Sequence, residues 1–271
     1  MKNISLLGAI AGDVIGSEYE FNATKRYNFK LLSKYMSYTD DSIMTVAVAD
    51  WLIRGRKANN DFSTELLINT MRKWGNRYPT PMGAYGGMFS NWLFSNDPQP
   101  YNSFGNGSAM RVSPCGFAFN SLEETLAMAE RSAIVTHNHP EGIKGAQATA
   151  AAIFLARNGK SKDEIRDYIS TTFGYNLNRT CDEIRPDYSF EGSCQETVPQ
   201  SIIAFLDSKD YEDAIRLTVS LGGDADTMGA ITGAIAIAFY KEMPDEIYNF
   251  VTNLLPNDMK RVIENFSEMI V

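Results

Sequence analysis

Soft metal ligands are scarce in this chain: its 271 residues hold three cysteines and two histidines. Cys115, Cys181 and Cys194 are an odd number with no C-x-x-C spacing, which argues against a disulfide framework and reads as the reduced thiols of a cytoplasmic protein. His137 and His139, with no cysteine nearby, do not make a zinc site. No apolar run reaches the ~18 residues that a membrane span requires. The opening Met1-Lys2-Asn3-Ile4-Ser5, followed by a glycine-interrupted segment with Asp13 and Glu18, is a poor signal peptide. Positive charge is short as well. A net charge of -8 leaves no general affinity for nucleic-acid backbone, so a bound phosphate would need backbone N–H groups, a metal or a local basic group. Period-two strands, internal repeats and a Pro/Ser-rich linker are also missing, and the reading is one all-α domain over residues 1–271.

Helical patterns account for much of what is there. Residues 4–17 read as a helix with Gly8, Gly12 and Gly16 at every fourth position. Glycine costs about 1 kcal/mol against alanine in a helix, so three on one face point to close approach of another backbone. Glu20 follows near the end of that helix. Residues 22–38 read as a loop, and 43–54 and 62–74 as helices, the second capped by Asp61 or Ser63. Residues 79–107, rich in Gly, Pro, Asn and Ser, form a long loop-dominated stretch with a short helix around 84–94; such stretches are often functional. Ser121-Leu122-Glu123-Glu124 reads as a capping box ahead of a helix to about 135. Helices over 140–156, 163–171, 198–206, 211–219, 227–240, 244–255 and 258–266 follow, with an irregular insertion at 174–196.

Two short stretches carry the chemistry. Thr39-Asp40-Asp41-Ser42 and Ser220-Leu221-Gly222-Gly223-Asp224-Ala225-Asp226-Thr227 each set hard oxygen ligands just ahead of an apolar helical run. Mg²⁺ takes oxygen ligands in octahedral geometry, and two such ions ~3.5–4 Å apart can orient a substrate and activate a water. Asp40, Asp41, Asp224 and Asp226 supply charge, and Thr39 and Thr227 supply neutral oxygens. With Glu20 the five carboxylates carry -5, which two divalent ions nearly balance. Asp and Thr ahead of a helix are equally the residues of N-caps, so metal binding and capping both stand at this point. The 12-residue EF-hand loop is absent, which argues against that form of calcium site.

Ser103-Phe104-Gly105-Asn106-Gly107-Ser108 is the other unusual stretch. Glycines around an asparagine permit positive φ, so that successive N–H groups converge on an anion, and Phe104 can stack on a ribose or base. A plain turn has the same composition. No Gly-Lys-Ser/Thr follows, so it is not a Walker loop. His137, in Thr136-His137-Asn138-His139-Pro140, lies between two helices, a place for a structural histidine or a substrate contact.

Taken in order, these pieces resemble the ADP-ribosylglycohydrolase family. The match runs from Gly8-Ala9-Ile10-Ala11-Gly12-Asp13 and Glu20-Phe21, through Thr39-Asp40-Asp41-Ser42 and Ser103-Phe104-Gly105-Asn106-Gly107-Ser108-Ala109-Met110-Arg111. It continues through Thr136-His137 and Glu196-Thr197-Val198-Pro199 to Ser220–Thr227. The resemblance implies an all-α fold with a dinuclear centre, Mg²⁺ or in some members Mn²⁺. Its ligands would be Thr39, Asp40, Asp41, Asp224, Asp226 and Thr227, with Asp226 bridging. It implies hydrolysis of the glycosidic bond between ADP-ribose and an acceptor such as a modified arginine or serine side chain, Asp41 or Asp226 positioning the water and Glu20 assisting the leaving group or gating the site. The Ser103–Gly107 loop, comprising Ser103, Phe104, Gly105, Asn106 and Gly107, would wrap the diphosphate and distal ribose, with His137 a substrate contact. Phe104 stands where close relatives carry tyrosine, and Asp97–Asn102 do not reproduce the adenine-stacking segment of the serine-type enzymes. A non-catalytic ADP-ribose-binding module and a hydrolase of small ADP-ribose conjugates are the alternatives.

Overall fold

A computed structural model of the protein describes residues 4–270; Met1–Asn3, at the start of the segment read above for a signal peptide, and Val271 lie outside the described residues. The helices are α1 (Leu7–Gly16), α2 (Asp40–Lys57), α3 (Thr64–Arg77), α4 (Gly87–Phe94), α5 (Gly107–Met110), α6 (Ser113–Ala118), α7 (Leu122–Ile134) and α8 (Pro140–Arg157). They continue with α9 (Lys162–Phe173), α10 (Cys181–Ile184), α11 (Cys194–Asp207), α12 (Tyr211–Val219), α13 (Ala225–Tyr240), α14 (Asp245–Leu254) and α15 (Asn257–Ile270). Among the described residues the only β pairing is two isolated bridges, Thr39 with Met82 and Gly105 with Ser193.

The core is built on α13. Its sequence is apolar on every side, as a helix surrounded by others must be, and its residues from Ala225 to Ala238 are buried. Helices α1, α8, α11 and α12 pack around it, α1 most extensively. The α1–α13 contact explains the glycines at every fourth position. A Cβ on Gly12 would lie 1.9 Å from the Gly229 carbonyl oxygen, and one on Gly233 would lie 2.2 Å from that of Gly8. The pairing runs antiparallel, Gly8 beside Gly233 and Gly16 beside Ala225. This register brings the last turns of α1, with Asp13, to the first turn of α13, with Asp226. The start of α2 arrives at the same end, because Asp13 accepts from the backbone N–H of both Thr39 and Ser42, at 3.0 and 3.1 Å.

Several boundaries differ from the sequence reading. The first helix is shorter, Leu7–Gly16, and α3 is capped by Ser63, whose hydroxyl accepts from Leu66 N. Only half of the expected box at Ser121 forms: Ser121 Oγ accepts from Glu124 N, while the Glu124 carboxylate faces that hydroxyl. Complete boxes occur instead at Ser161–Glu164 and Thr180–Glu183. Helices α5, α6 and α10 were not expected, and α11 starts at Cys194 despite Pro199, which omits one backbone bond near its N-terminus. No described helix is long and apolar enough to cross a membrane. All three cysteines are free and buried.

Candidate active site

The converging ends of α1, α2 and α13 form the floor of a cleft of about 350 Å³. Asp13 holds the floor together. It is fully buried and, besides the two backbone bonds, accepts from Thr39 Oγ1 at 2.7 Å and from Ser42 Oγ. Thr39 is the N-cap of α2, its hydroxyl accepting from Asp41 N at 3.2 Å. With Thr39 as the cap, the Asp41 carboxylate is spared that role, and its Oδ1 is buried with no hydrogen-bond partner.

Asp224 precedes α13 but makes no side-chain cap bond. Its Oδ2 instead accepts from Asn106 Nδ2 at 2.7 Å, and Asn106 is held in turn against Thr197 Oγ1 at 3.2 Å. One oxygen from each of Asp13, Asp41 and Asp226 falls within a 4.8 Å group, and one from each of Glu20, Asp224 and Asp226 forms a second such group. Asp226 belongs to both. Asp40 and Thr227 face the same cleft outside these two groups, and Thr39 lies beneath its floor.

Crowding and burial shift every carboxyl here upward. Burial, then Asp226, holds Asp41 well above the usual carboxylate range, and burial, then Asp224, does the same for Asp226. Asp40 is also well raised, by burial and then Asp226. Asp13 and Asp224 are pushed up to about 6 by burial, which the hydrogen bonds they accept partly offset. Glu20, half-buried, rises to about 8 through desolvation and then the charge of Asp226. Among the described residues no lysine or arginine forms an ion pair with any of the six. Such a group is neutralised by protons or by cations. Hard oxygens and an unpartnered buried Asp41 oxygen suit a hard cation, so the acidic cluster can hold metal.

One wall of the cleft is the Ser103–Gly107 loop; Ser103, Gly105, Asn106, Gly107 and His137 line it, and Phe104 does not. The Phe104 ring is half exposed and meets His139 edge-on at 5.4 Å. The expected nest of positive-φ glycines is not formed: neither Gly105 nor Gly107 has positive φ, and that conformation falls on Asn102. Gly105 N donates to Ser103 Oγ and Asn106 N to the Gly192 carbonyl, so both are already committed. Gly107 instead provides room, since a Cβ there would sit 3.1 Å from His137 Nε2. The opposite wall runs from Gly83 to Phe89, and a Cβ on Gly83 would come within 2.7 Å of Glu20 Oε2.

Sequence reasoning gave Asp13 and Arg111 no role. Asp13 had a signal, as the single charged residue in an otherwise apolar and glycine helix. The link from Asn106 to Asp224 had none, because it joins residues 118 apart.

A sequence model of the family described as ADP-ribosylglycohydrolase matches residues 4–270. The chain is 27% identical to the ADP-ribosylarginine hydrolase Tri1 of Pseudomonas putida (strain GB-1), over 89% of this chain and 71% of that protein. It is 26% identical to human ADP-ribosylhydrolase ARH3, over 87% of this chain and 84% of that protein. A solved structure titled "ADP-ribosylglycohydrolase-related protein complex" shares the fold, with a TM-score of 0.74 over 98% of this chain and 96% of that one at 22% identity. The motif order, the all-α fold around a shared acidic cleft and the family match agree, and the chain belongs to the ADP-ribosylglycohydrolase family.

Proposed function

We propose that this chain, acting as one domain, hydrolyses the glycosidic bond between ADP-ribose and a modified protein side chain, arginine or serine, releasing ADP-ribose. The observation that carries the reading is Asp226, shared by two groups of carboxylates at the floor of a cleft whose wall is the Ser103–Gly107 loop and His137. Two Mg²⁺ or Mn²⁺ ions would be held by Thr39, Asp40, Asp41, Asp224, Asp226 and Thr227, and when bound they would offset the acidic charge and acidify a water. Asp41 or Asp226 would help deprotonate or position the attacking water. Asn106 and Asp13 keep the two acidic segments in place. Glu20, half-buried at the cleft edge, would pass a proton to the departing atom or gate the site. The carboxylates also stabilise positive charge developing at the anomeric carbon, as in other glycoside hydrolysis. The buried thiols suit a reducing cytoplasm.

The test is ADP-ribose release from ADP-ribosyl-arginine and ADP-ribosyl-serine peptides, with Mg²⁺, with EDTA and with Asp226→Ala. Metal-dependent release lost in the variant supports the reading and names the linkage. Binding of ADP-ribose without release from either peptide would favour a small-molecule conjugate or a binding module, and release surviving both EDTA and the substitution would overturn the metal chemistry.

A further inference from the structure

Behind the Ser103–Gly107 wall lies a buried guanidinium. Arg111 is 1% exposed and forms no ion pair among the described residues. Its Nη1 donates to the Gly107 carbonyl at 3.0 Å, and its Nη2 to the Ser132 carbonyl at 3.0 Å and to Thr136 Oγ1 at 2.8 Å. Burial lowers its pKa only to about 10, so it stays charged at neutral pH. A guanidinium can only donate, so Thr136 Oγ1 accepts and keeps its own proton to give. His137 Nδ1 lies 2.7 Å from that oxygen. Thr136 is fully buried, and His137 Nδ1 is the one acceptor found for its hydroxyl among the described residues.

We propose that Arg111 and Thr136 are positioning residues that fix neutral His137 with its proton on Nε2, so that it offers an N–H donor to an anionic group in the cleft. Nε2 is where a ligand can meet it. A Cβ on Gly107 would lie 3.1 Å away and one on Gly105 3.6 Å away, and no acceptor for Nε2 is found among the described residues. Burial, followed by the Arg111 charge, holds the imidazole well below its ordinary pKa, which keeps the second proton off. Arg111 itself lines the cleft, so its positive field and the aimed N–H act on one region. Together they suit the oxygens of a diphosphate. That choice of ligand rests on the function proposed above, whereas the placement of the proton does not.

The test begins with ¹⁵N-histidine-labelled full chain without ligand at pH 7. Only two histidines report, and His139→Gln assigns them. Protonated Nε2 with an unprotonated, hydrogen-bonded Nδ1 at His137 is expected; a proton on Nδ1, alone or on both nitrogens, would overturn the proposal. ADP-ribose binding is then measured by calorimetry. Thr136→Val should weaken it about tenfold, as loss of one charge-supported hydrogen bond does, and Thr136→Ser should restore it to within about twofold. Unchanged affinity in a folded Thr136→Val protein would refute the role in binding. Wild-type protein that shows the expected tautomer but binds no ADP-ribose would uphold the relay and sink the proposed ligand.

Discussion

Asp210 and Asp224 each stand one residue ahead of a helix, α12 and α13, and their side chains do opposite things. Asp210 is exposed and accepts from Asp213 N at 2.8 Å, closing the helix start. Asp224 is buried, makes no capping bond and is turned to Asn106. Both helices also carry acidic residues in the first turn. What separates them is the surroundings: α13 begins where α1 and α2 deliver Asp13 and Asp41. The Asp210 carboxylate is satisfied by the backbone of its own helix, whereas that of Asp224 is left to face the cleft. At α2 the same separation is made within one motif, Thr39 capping while an Asp41 oxygen is left unpartnered.

The largest test of this contrast is Asp226→Asn. ADP-ribose release should fall about a thousandfold or more, since several kcal/mol of charge stabilisation is lost. The metal-free protein should melt higher, because the variant no longer has to take up a proton on folding at a buried, crowded acid. Release within tenfold of wild type would contradict a catalytic role for the acidic group at the start of α13. Asn106→Ala, which frees Asp224 from its orienting partner, should cost about 10–100-fold in activity or metal affinity with the circular dichroism unchanged.

Acidity sharpens the contrast further. Asp13 and Asp224, near 6, and Glu20, near 8, hold protons in the folded state at pH values where the unfolded chain has released them. Folding therefore binds protons between about pH 4 and 8, and the stability these groups contribute falls as pH rises through that window. In EDTA the melting temperature should drop from pH 5 to pH 8, and Mg²⁺ should raise it more at pH 8 than at pH 5. Equal Mg²⁺ shifts at the two values would contradict the charge crowding. The smallest effect belongs to Asp210→Ala, which should cost about 1 kcal/mol in denaturant unfolding and leave ADP-ribose release unchanged.

The sequence was most legible where one chain segment decides the outcome. Helix α12 matches its expected range, and the α1 glycines announced the close helix contact that the structure shows. The one-turn helices α5 and α10 were not legible, because helices this short are held by their surroundings and carry little periodic signal. At the site, the two acidic segments and the loop at 103–107 stood out locally. The purpose of Gly107 did not: it makes room for His137, a residue brought in from beyond α7. Nor did the orientation of Asp224, whose carboxylate accepts from Asn106 in a distant stretch and not from its own helix.

The most direct measurement is a calorimetric Mn²⁺ titration of the wild-type chain and of Asp226→Asn at pH 7.5. The shared position of Asp226 predicts two ions per wild-type chain and loss of at least one in the variant. No saturable Mn²⁺ binding by the wild type, or identical isotherms for the two proteins, would contradict it.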